Sequence, residues 1–548
     1  MRRSIPAFIV SFTVLPWLLG VAAALAQQTE TENFEVSGMV INAATGEPVS
    51  RALVQMQAGT GKAQFAGADG TFVFRNLARG RYNLTASKPG FFSEQQLGLW
   101  NAWRNSFQDV PSEKEVVLKL TPEGIIYGEV KNESGEPVEG VMVRAQRWQT
   151  ENGRKSLQNG GEAATDDEGN FRLAELTPGS YHLSFVPANR GGWVTYDKLH
   201  RRKQTNQGYG PQFYPGVADV ESATAIELRA GATVHITQAL SRQPLFEVAG
   251  VVRGATPVGG FSLTLMNASG DMVQRIVGID PKSGEFQIPG VPAGTYLLAA
   301  SAQAPNGNGP QELQVQLTAT RLIQLKSDLA GLVLILGRGI FVGVQVYGGI
   351  PPVETTNVPQ VMVQLISKEF LQNSRGTMVP PQNGEPRPAA RIEDIPPGTY
   401  TVEASPNQPA YIASLRCGSV DLLRDDLTIA PGGVLPPIEV TLGKDGAQLS
   451  VKVMEKGQPA AAAVVIYSEE YPRRSVLTQT NETGAFSQGN LAPGKYQVIA
   501  VKDALDLEFR SPGAMEKYLE HASAVTLQSG GAETSVRVEV QELPERHR

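Results

Sequence analysis

Along the 548 residues one phrase comes round five times: a tight turn, a Phe two residues after a Gly, then Leu-x-x-Gly-x-Tyr running into alternating apolar residues. It reads DGTFVFRNLARGRYNL from Asp69, EGNFRLAELTPGSYHL from Glu168, SGEFQIPGVPAGTYLL from Ser283 and TGAFSQGNLAPGKYQV from Thr483, with a worn copy, ARIEDIPPGTYTV, from Ala390. The tyrosines, Tyr82, Tyr181, Tyr296, Tyr400 and Tyr496, lie 99, 115, 104 and 96 residues apart, so each repeat is one small domain. Apolar residues alternate with the two-residue period of half-buried strands. Sustained helical periodicity is nearly absent, and one short helix is expected around Met515 to His521. These features predict an all-β chain, a tandem array of about five Ig-like or prealbumin-like Greek-key β-sandwich domains.

The first unit shows how the pattern dictates a fold. Val36, Met39 and Ile41 precede the turn Thr45-Gly46-Glu47-Pro48, and Ala52, Val54 and Met56 share one face of the returning strand. Asp69-Gly70 has the positive-φ chemistry of a hairpin turn, and Phe72, Phe74 and Leu77 follow it inward. The Leu-x-x-Gly-x-Tyr step reads as a tyrosine corner, in which a buried ring returns its hydroxyl to backbone a few residues upstream. A buried phenol without a partner would cost about 1 to 3 kcal/mol, so that hydrogen bond is nearly obligatory. All five tyrosines are assigned structural roles on this argument.

Each unit closes with an alternating strand, which sets the expected boundaries: residues 34–121, 122–243, 244–337, 338–443 (the degenerate copy) and 444–548, after a linker at 27–33. Residues 1–26 read as a signal peptide, with Arg2 and Arg3 before an apolar run and Ala24-Leu25-Ala26 as the cleavage site. Retention of this run as a membrane anchor stays open. The expected location is therefore secreted, periplasmic or at the cell surface, with no membrane span after cleavage. The formal net charge of −6, or −8 without residues 1–26, argues against nucleic acid as a partner. Cys417 is the single cysteine, so packing alone must hold each monomeric domain.

The phrases G-x-V, G-x-P-V and T-D-x-x-G-x-F-x-L-x-x-L-x-P-G-x-Y resemble the carboxypeptidase regulatory-like domain, a transthyretin-like sandwich. The second unit carries them most fully, in Gly128, Gly135, Pro137, Val138, Val141 and Val143, then Thr165, Asp166, Gly169, Phe171, Leu173, Leu176, Pro178, Gly179 and Tyr181. The resemblance is clear in units one, two and five, moderate in three and weak in four, where Pro388 and Ala390 stand in place of Gly and Phe. It implies a large exported multidomain bacterial protein with a carbohydrate-binding-like fold. The zinc peptidase that such domains accompany is missing: His182, His200, His235, His521 and His547 form no zinc-binding pair. The acid that catalyses isopeptide self-locking in related Cna-B sandwiches is absent or displaced after each Gly-x-Tyr. No metal, cofactor or catalytic residue is expected, and the chain is read as not an enzyme.

Ligand candidates sit in two aromatic insertions. Trp100 and Trp103 lie in FFSEQQLGLWNAWRNSFQ of the first unit. Trp193, Tyr196, Tyr209 and Tyr214 lie in the second unit's insertion, around the basic run His200-Arg201-Arg202-Lys203. Flat aromatic faces beside hydrogen-bonding side chains suit sugar rings, and they equally suit a protein partner or simple packing of the insertion on its sandwich. The partner expected is a polysaccharide or a cell-envelope protein. The readings left open are a binding scaffold, a structural spacer without glycan binding, and an enzyme accessory or unrecognised hydrolase.

Overall fold

The computed structural model describes residues 34–541, apart from 58–60, 99–105, 112–114, 152, 188–193, 197–201, 205–206, 255–260, 268–271, 276–278, 281, 306–313, 338, 349–359, 369–373, 381–389, 408, 431, 482, 503, 505–506 and 531–532. The expected signal peptide lies outside these residues. Among those described, no helix is long and apolar enough to cross a membrane. The architecture is an all-β tandem array of sandwich units, and in the fifth the strands are joined into one eight-stranded sheet.

In the first sandwich the strands are β1 (Phe34–Asn42), β2 (Leu53–Gln57), β3 (Lys62–Phe65), β4 (Thr71–Leu77), β5 (Gly80–Ser87), β6 (Phe91–Ser93), β7 (Phe107–Val110) and β8 (Val116–Pro122). One sheet has the order β4-β1-β8-β6 and the other β3-β2-β5-β7. Val36, Val40, Val54, Phe72, Phe74, Leu77, Leu84 and Leu120 share one buried core, whereas Met39 and Ile41 of the opening strand fall on its other face and are half-buried. Burying each such side chain contributes about 1.5 to 3 kcal/mol, which is how an uncrosslinked unit of this size holds together.

The opening strand β1 runs parallel to the closing strand β8, and Gly38 shows why the phrase begins with a glycine. A Cβ there would stand 2.2 Å from the Val116 carbonyl oxygen and 2.6 Å from the Phe72 ring. Gly128 and Gly250 meet the same obstacle, at 1.7 Å from the Ile236 oxygen and 2.3 Å from the Leu332 oxygen. The glycine before each Phe has a second reason: Gly70, Gly169, Gly284 and Gly484 all have φ between 71° and 76°, the left-handed turn that glycine adopts without strain.

The second sandwich continues with β9 (Gly124–Lys131), β10 (Val141–Glu151), β11 (Arg154–Ala164), β12 (Asn170–Leu176) and β13 (Gly179–Pro187). One sheet orders β12, β9 and the strand Thr233–Ala239; the other orders β11, β10, β13 and Gln212–Phe213. Val143, Ala145, Leu173, Tyr181 and Leu183 are buried, and Phe171 meets Phe185 edge to face at 5.9 Å. The third, fourth and fifth units repeat the scheme, with opening and closing strands again parallel: Gln243–Arg253 with Leu329–Ile335, Val342–Tyr347 with Ile438–Gly443, and Ala447–Glu455 with Thr534–Gln541. In the fourth, Ile392 and Ile395 are buried in the stretch where the repeated phrase is most worn.

The fifth unit carries α1 (Pro512–Leu519), overlapping the helix expected from the sequence and starting earlier, at a Pro that suits a helix N-terminus. Met515 and Tyr518 of α1 lie with Leu507 and Phe509 on the outer side of the strands Ala463–Tyr467 and Gly494–Val501. Every residue of Ala463–Tyr467 is buried as a result, because this sheet is covered on both faces.

Candidate functional site

The tyrosine corners lie where the repeated phrase places them. Tyr82 Oη donates to the Ala78 carbonyl at 2.9 Å, Tyr296 to Pro292 at 3.0 Å, Tyr400 to Pro396 at 2.7 Å and Tyr496 to Ala492 at 2.8 Å. Tyr181 occupies the matching position and is buried. Burial pushes the Tyr496 phenol up to about 12, and Tyr296 also rises. In the four units with these bonds the hydroxyl is used on its own backbone.

Three of the candidate ligand residues, Trp100, Trp103 and Trp193, lie outside the described residues. Tyr196 ends the short strand β14 (Val194–Tyr196), which pairs with β15 (Arg202–Gln204) so that Tyr196 stands opposite Arg202. Val194–Tyr196 and Arg202–Gln204 thus form a two-stranded ribbon. Tyr209 and Tyr214 are half-buried. The Arg242 guanidinium lies 5.8 Å from the centre of the Tyr209 ring, and its hydrogen bond with that hydroxyl raises its pKa. Tyr214 donates its N–H to Leu183 at 3.0 Å and accepts from Thr224 at 2.9 Å, which holds that end of the insertion against β13. The two-residue strand Gln207–Gly208 pairs with Pro244 and Gln243, so the insertion adds an edge to the third sandwich.

A polar pair missed by sequence reasoning lies on the sheet that Gln212–Phe213 of the insertion extends. After a bulge between Ala145 and Gln146, Gln146 on β10 stands opposite His182 on β13. Gln146 is 6% exposed, and neither its Oε1 nor His182 Nδ1 has a hydrogen-bond partner. Ser184, two residues along β13 from His182, is also buried. Burial and then the charge of Lys155 hold the His182 pKa below its usual value, while Glu221 opposes them, so the ring is neutral near pH 7. Two residues along β10, the Trp148 ring has the Lys155 ammonium 4.9 Å from its centre. An unpaired buried acceptor costs about 1 to 3 kcal/mol, which a donated hydroxyl would offset. The available signal was the pair of polar residues on strands that otherwise carry core residues.

The other reactive side chains have structural settings. Among the described residues no three His, Cys, Asp or Glu side chains group as metal ligands. His235 packs edge to face on Tyr127 at 5.0 Å. Burial pushes the Cys417 thiol pKa up, and Sγ donates to the Pro436 carbonyl at 3.2 Å, a poor setting for a nucleophile. In the acidic turn of the second unit, Asp166 Oδ1 accepts from the N–H groups of Glu168 at 3.0 Å and Asn170 at 2.7 Å, so this oxygen organises the hairpin.

Residues 35–106 and 125–241 match the carboxypeptidase regulatory-like domain family. No curated protein matches the chain. Among solved structures, the minor pilin of Streptococcus agalactiae is 17% identical and covers 38% of this chain and 97% of its own, with a TM-score of 0.21. The TIE protein of Bacillus anthracis is 13% identical over 75% of each chain, with a TM-score of 0.17. The major pilin subunit of Bacillus cereus is 8% identical and covers 76% of this chain and 99% of its own, with a TM-score of 0.14.

Proposed function

We propose that the chain, whose first two sandwiches match the carboxypeptidase regulatory-like domain family, is an exported, noncatalytic scaffold of the cell envelope. The observation that carries this reading is how the repeated phrase is spent: its glycines make close strand approaches and turns, and the hydroxyls of Tyr82, Tyr296, Tyr400 and Tyr496 bond their own backbone. Recognition then falls to what is not repeated, the aromatic insertions of the first two units. We assign them a saccharide ligand, with Trp100, Trp103, Trp193, Tyr196, Tyr209 and Tyr214 as candidate contacts. The unpaired Gln146 and His182 atoms on the neighbouring sheet support this class, since neutral hydroxyls suit an amide oxygen and a neutral imidazole.

The experiment is a polysaccharide and glycan-array screen of the exported protein, repeated with Trp100→Ala and Trp193→Ala. Losing a central aromatic anchor should weaken binding by about 2 kcal/mol or more, roughly thirtyfold. If these rings only pack, the same changes instead cost about 3 to 5 kcal/mol of stability and no glycan is retained by the parent protein. The second reading is a scaffold that binds protein or nothing. It is favoured by the rings of Trp148 and Tyr209, each of which already has a cation of the same chain beside it.

A further inference from the structure

The hairpin that opens the second layer of each sandwich differs sharply among the units. In the first it is five residues and four, β2 and β3. In the third it is seven and four, in the fourth seven and six, in the fifth five and four. In the second, β10 and β11 have eleven residues each, and their pairing runs past the Ala145–Gln146 bulge to Glu151 opposite Arg154. Little of this length serves the core: among the described residues of the hairpin the buried apolar side chains Val141, Val143 and Ala145 precede the bulge, and Leu157 lies beyond it.

The far end of the hairpin meets the fourth and fifth sandwiches. Arg154 Nη2 lies 2.9 Å from Glu403 Oε1, on the fourth unit's strand Gly398–Pro406. The same oxygen accepts from Arg510 Nη1 of the fifth unit at 2.7 Å. Arg510 also donates its backbone N–H to the Gly153 carbonyl at 3.3 Å. Gly153, at φ +75°, lies so close to the Phe509 ring that a Cβ would fall 2.8 Å from it. The three charged side chains are each about three-quarters or more buried, with 26%, 18% and 20% of their area exposed. One carboxylate therefore holds guanidinium groups from two other domains, and a bare glycine fits against an aromatic ring beside them.

The fourth and fifth units have further ties of their own. Asp426 pairs with Arg473 at 2.5 Å, and Arg424 pairs with Glu470 at 2.5 Å and lies 4.6 Å from the centre of the Tyr471 ring. Among the described residues the hairpin's tip is held by a charge node, a backbone hydrogen bond from Arg510 to Gly153 and a glycine-on-ring contact.

We propose that the β10–β11 hairpin is a releasable clasp, which fastens the second sandwich onto the paired fourth and fifth sandwiches through Glu403 and lets the chain pass between a closed and an extended form. Glu403 is the centre of the closure, because without it two part-buried guanidinium groups face each other without the carboxylate that pairs with both. Release does not unfold any sandwich, since the clasp lies beyond the inner-face core residues. The inference does not rest on glycan binding.

The test is small-angle X-ray scattering of the exported full chain, with far-UV circular dichroism to follow the fold. Glu403→Arg should raise the radius of gyration and maximum dimension at unchanged strand content, lowering the closed-to-open ratio by at least about tenfold. Gly153→Asn should do the same by steric means: Asn tolerates the left-handed turn, but its Cβ takes the space of the Phe509 ring. Folded variants that scatter like wild type overturn the proposal. Loss of strand signal in both variants overturns it as well, because the hairpin would then be part of the fold.

Discussion

The first and second sandwiches carry the same phrase and the same close-approach glycine, yet they use their second sheets differently. In the first, the β2–β3 hairpin is short and its last residue, Phe65, is 70% exposed. In the second, the matching hairpin continues to a tip that holds Arg154 against Glu403, and its sheet carries the unpaired Gln146 and His182. Strand alternation fills the interior of both. What differs is the outer face and the length of strand beyond the core, which the interior does not constrain. Within one repeated fold, these are the places where units can acquire separate roles without loss of stability.

The sharpest way to break this comparison is to truncate one Phe in each unit. Phe185→Ala should cost about 3 to 5 kcal/mol in the second sandwich, because Phe185 is buried and packs on Phe171. Phe65→Ala should change stability by about 0.5 kcal/mol or less. Urea denaturation followed by hydrogen exchange in each unit would check both, and equal costs would remove the distinction between interior and outer residues.

A second comparison uses the corners. The Tyr496 phenol sits at about 12 in the fold, above the about 10 expected for an unfolded chain. Its contribution is complete below pH 10 and lost as pH rises through 12, amounting to about 2 to 3 kcal/mol for the fifth unit. Tyr496→Phe should flatten that alkaline limb of the stability curve. Within the first two units, Tyr181→Phe should cost about 1 to 2 kcal/mol, and Tyr82→Phe less, because Tyr181 is buried and Tyr82 only half-buried. Matching losses at the two positions would mean that burial does not decide the worth of the corner.

The smallest effect concerns acid. His182 has its pKa lowered chiefly by burial, so the stability it supports is present above the unfolded value of about 6.5 and is lost as pH falls through the folded one. The first sandwich contains no histidine and should lack this step. Chemical denaturation between pH 7 and about 5 with wild type and His182→Gln would show whether the step belongs to that residue.

The repeat made much of this legible before any coordinates. A Gly two residues before a Phe, and a Gly two residues before a Tyr, are statements about turns and corners that neighbouring residues settle among themselves. The helix near Met515 was legible for the same reason, though its early start at Pro512 depended on the sheet it covers. The candidate site was legible only as an uneven distribution of tryptophan, while Gln146 and His182 were not singled out as a pair. Their pairing lies in the unbroken ladder between β10 and β13, and which residues stand opposite one another there is set by the register of two strands far apart in the chain.

The sequence by itself determined that this chain is a string of β-sandwiches whose cores and corners repeat, because two-residue alternation and positive-φ turns are properties of short segments. Only the tertiary structure decided that Arg154, Glu403 and Arg510, from three different sandwiches, share one carboxylate oxygen. No local pattern records such a meeting, since it depends on how far a hairpin projects and on what the later domains place beneath its tip.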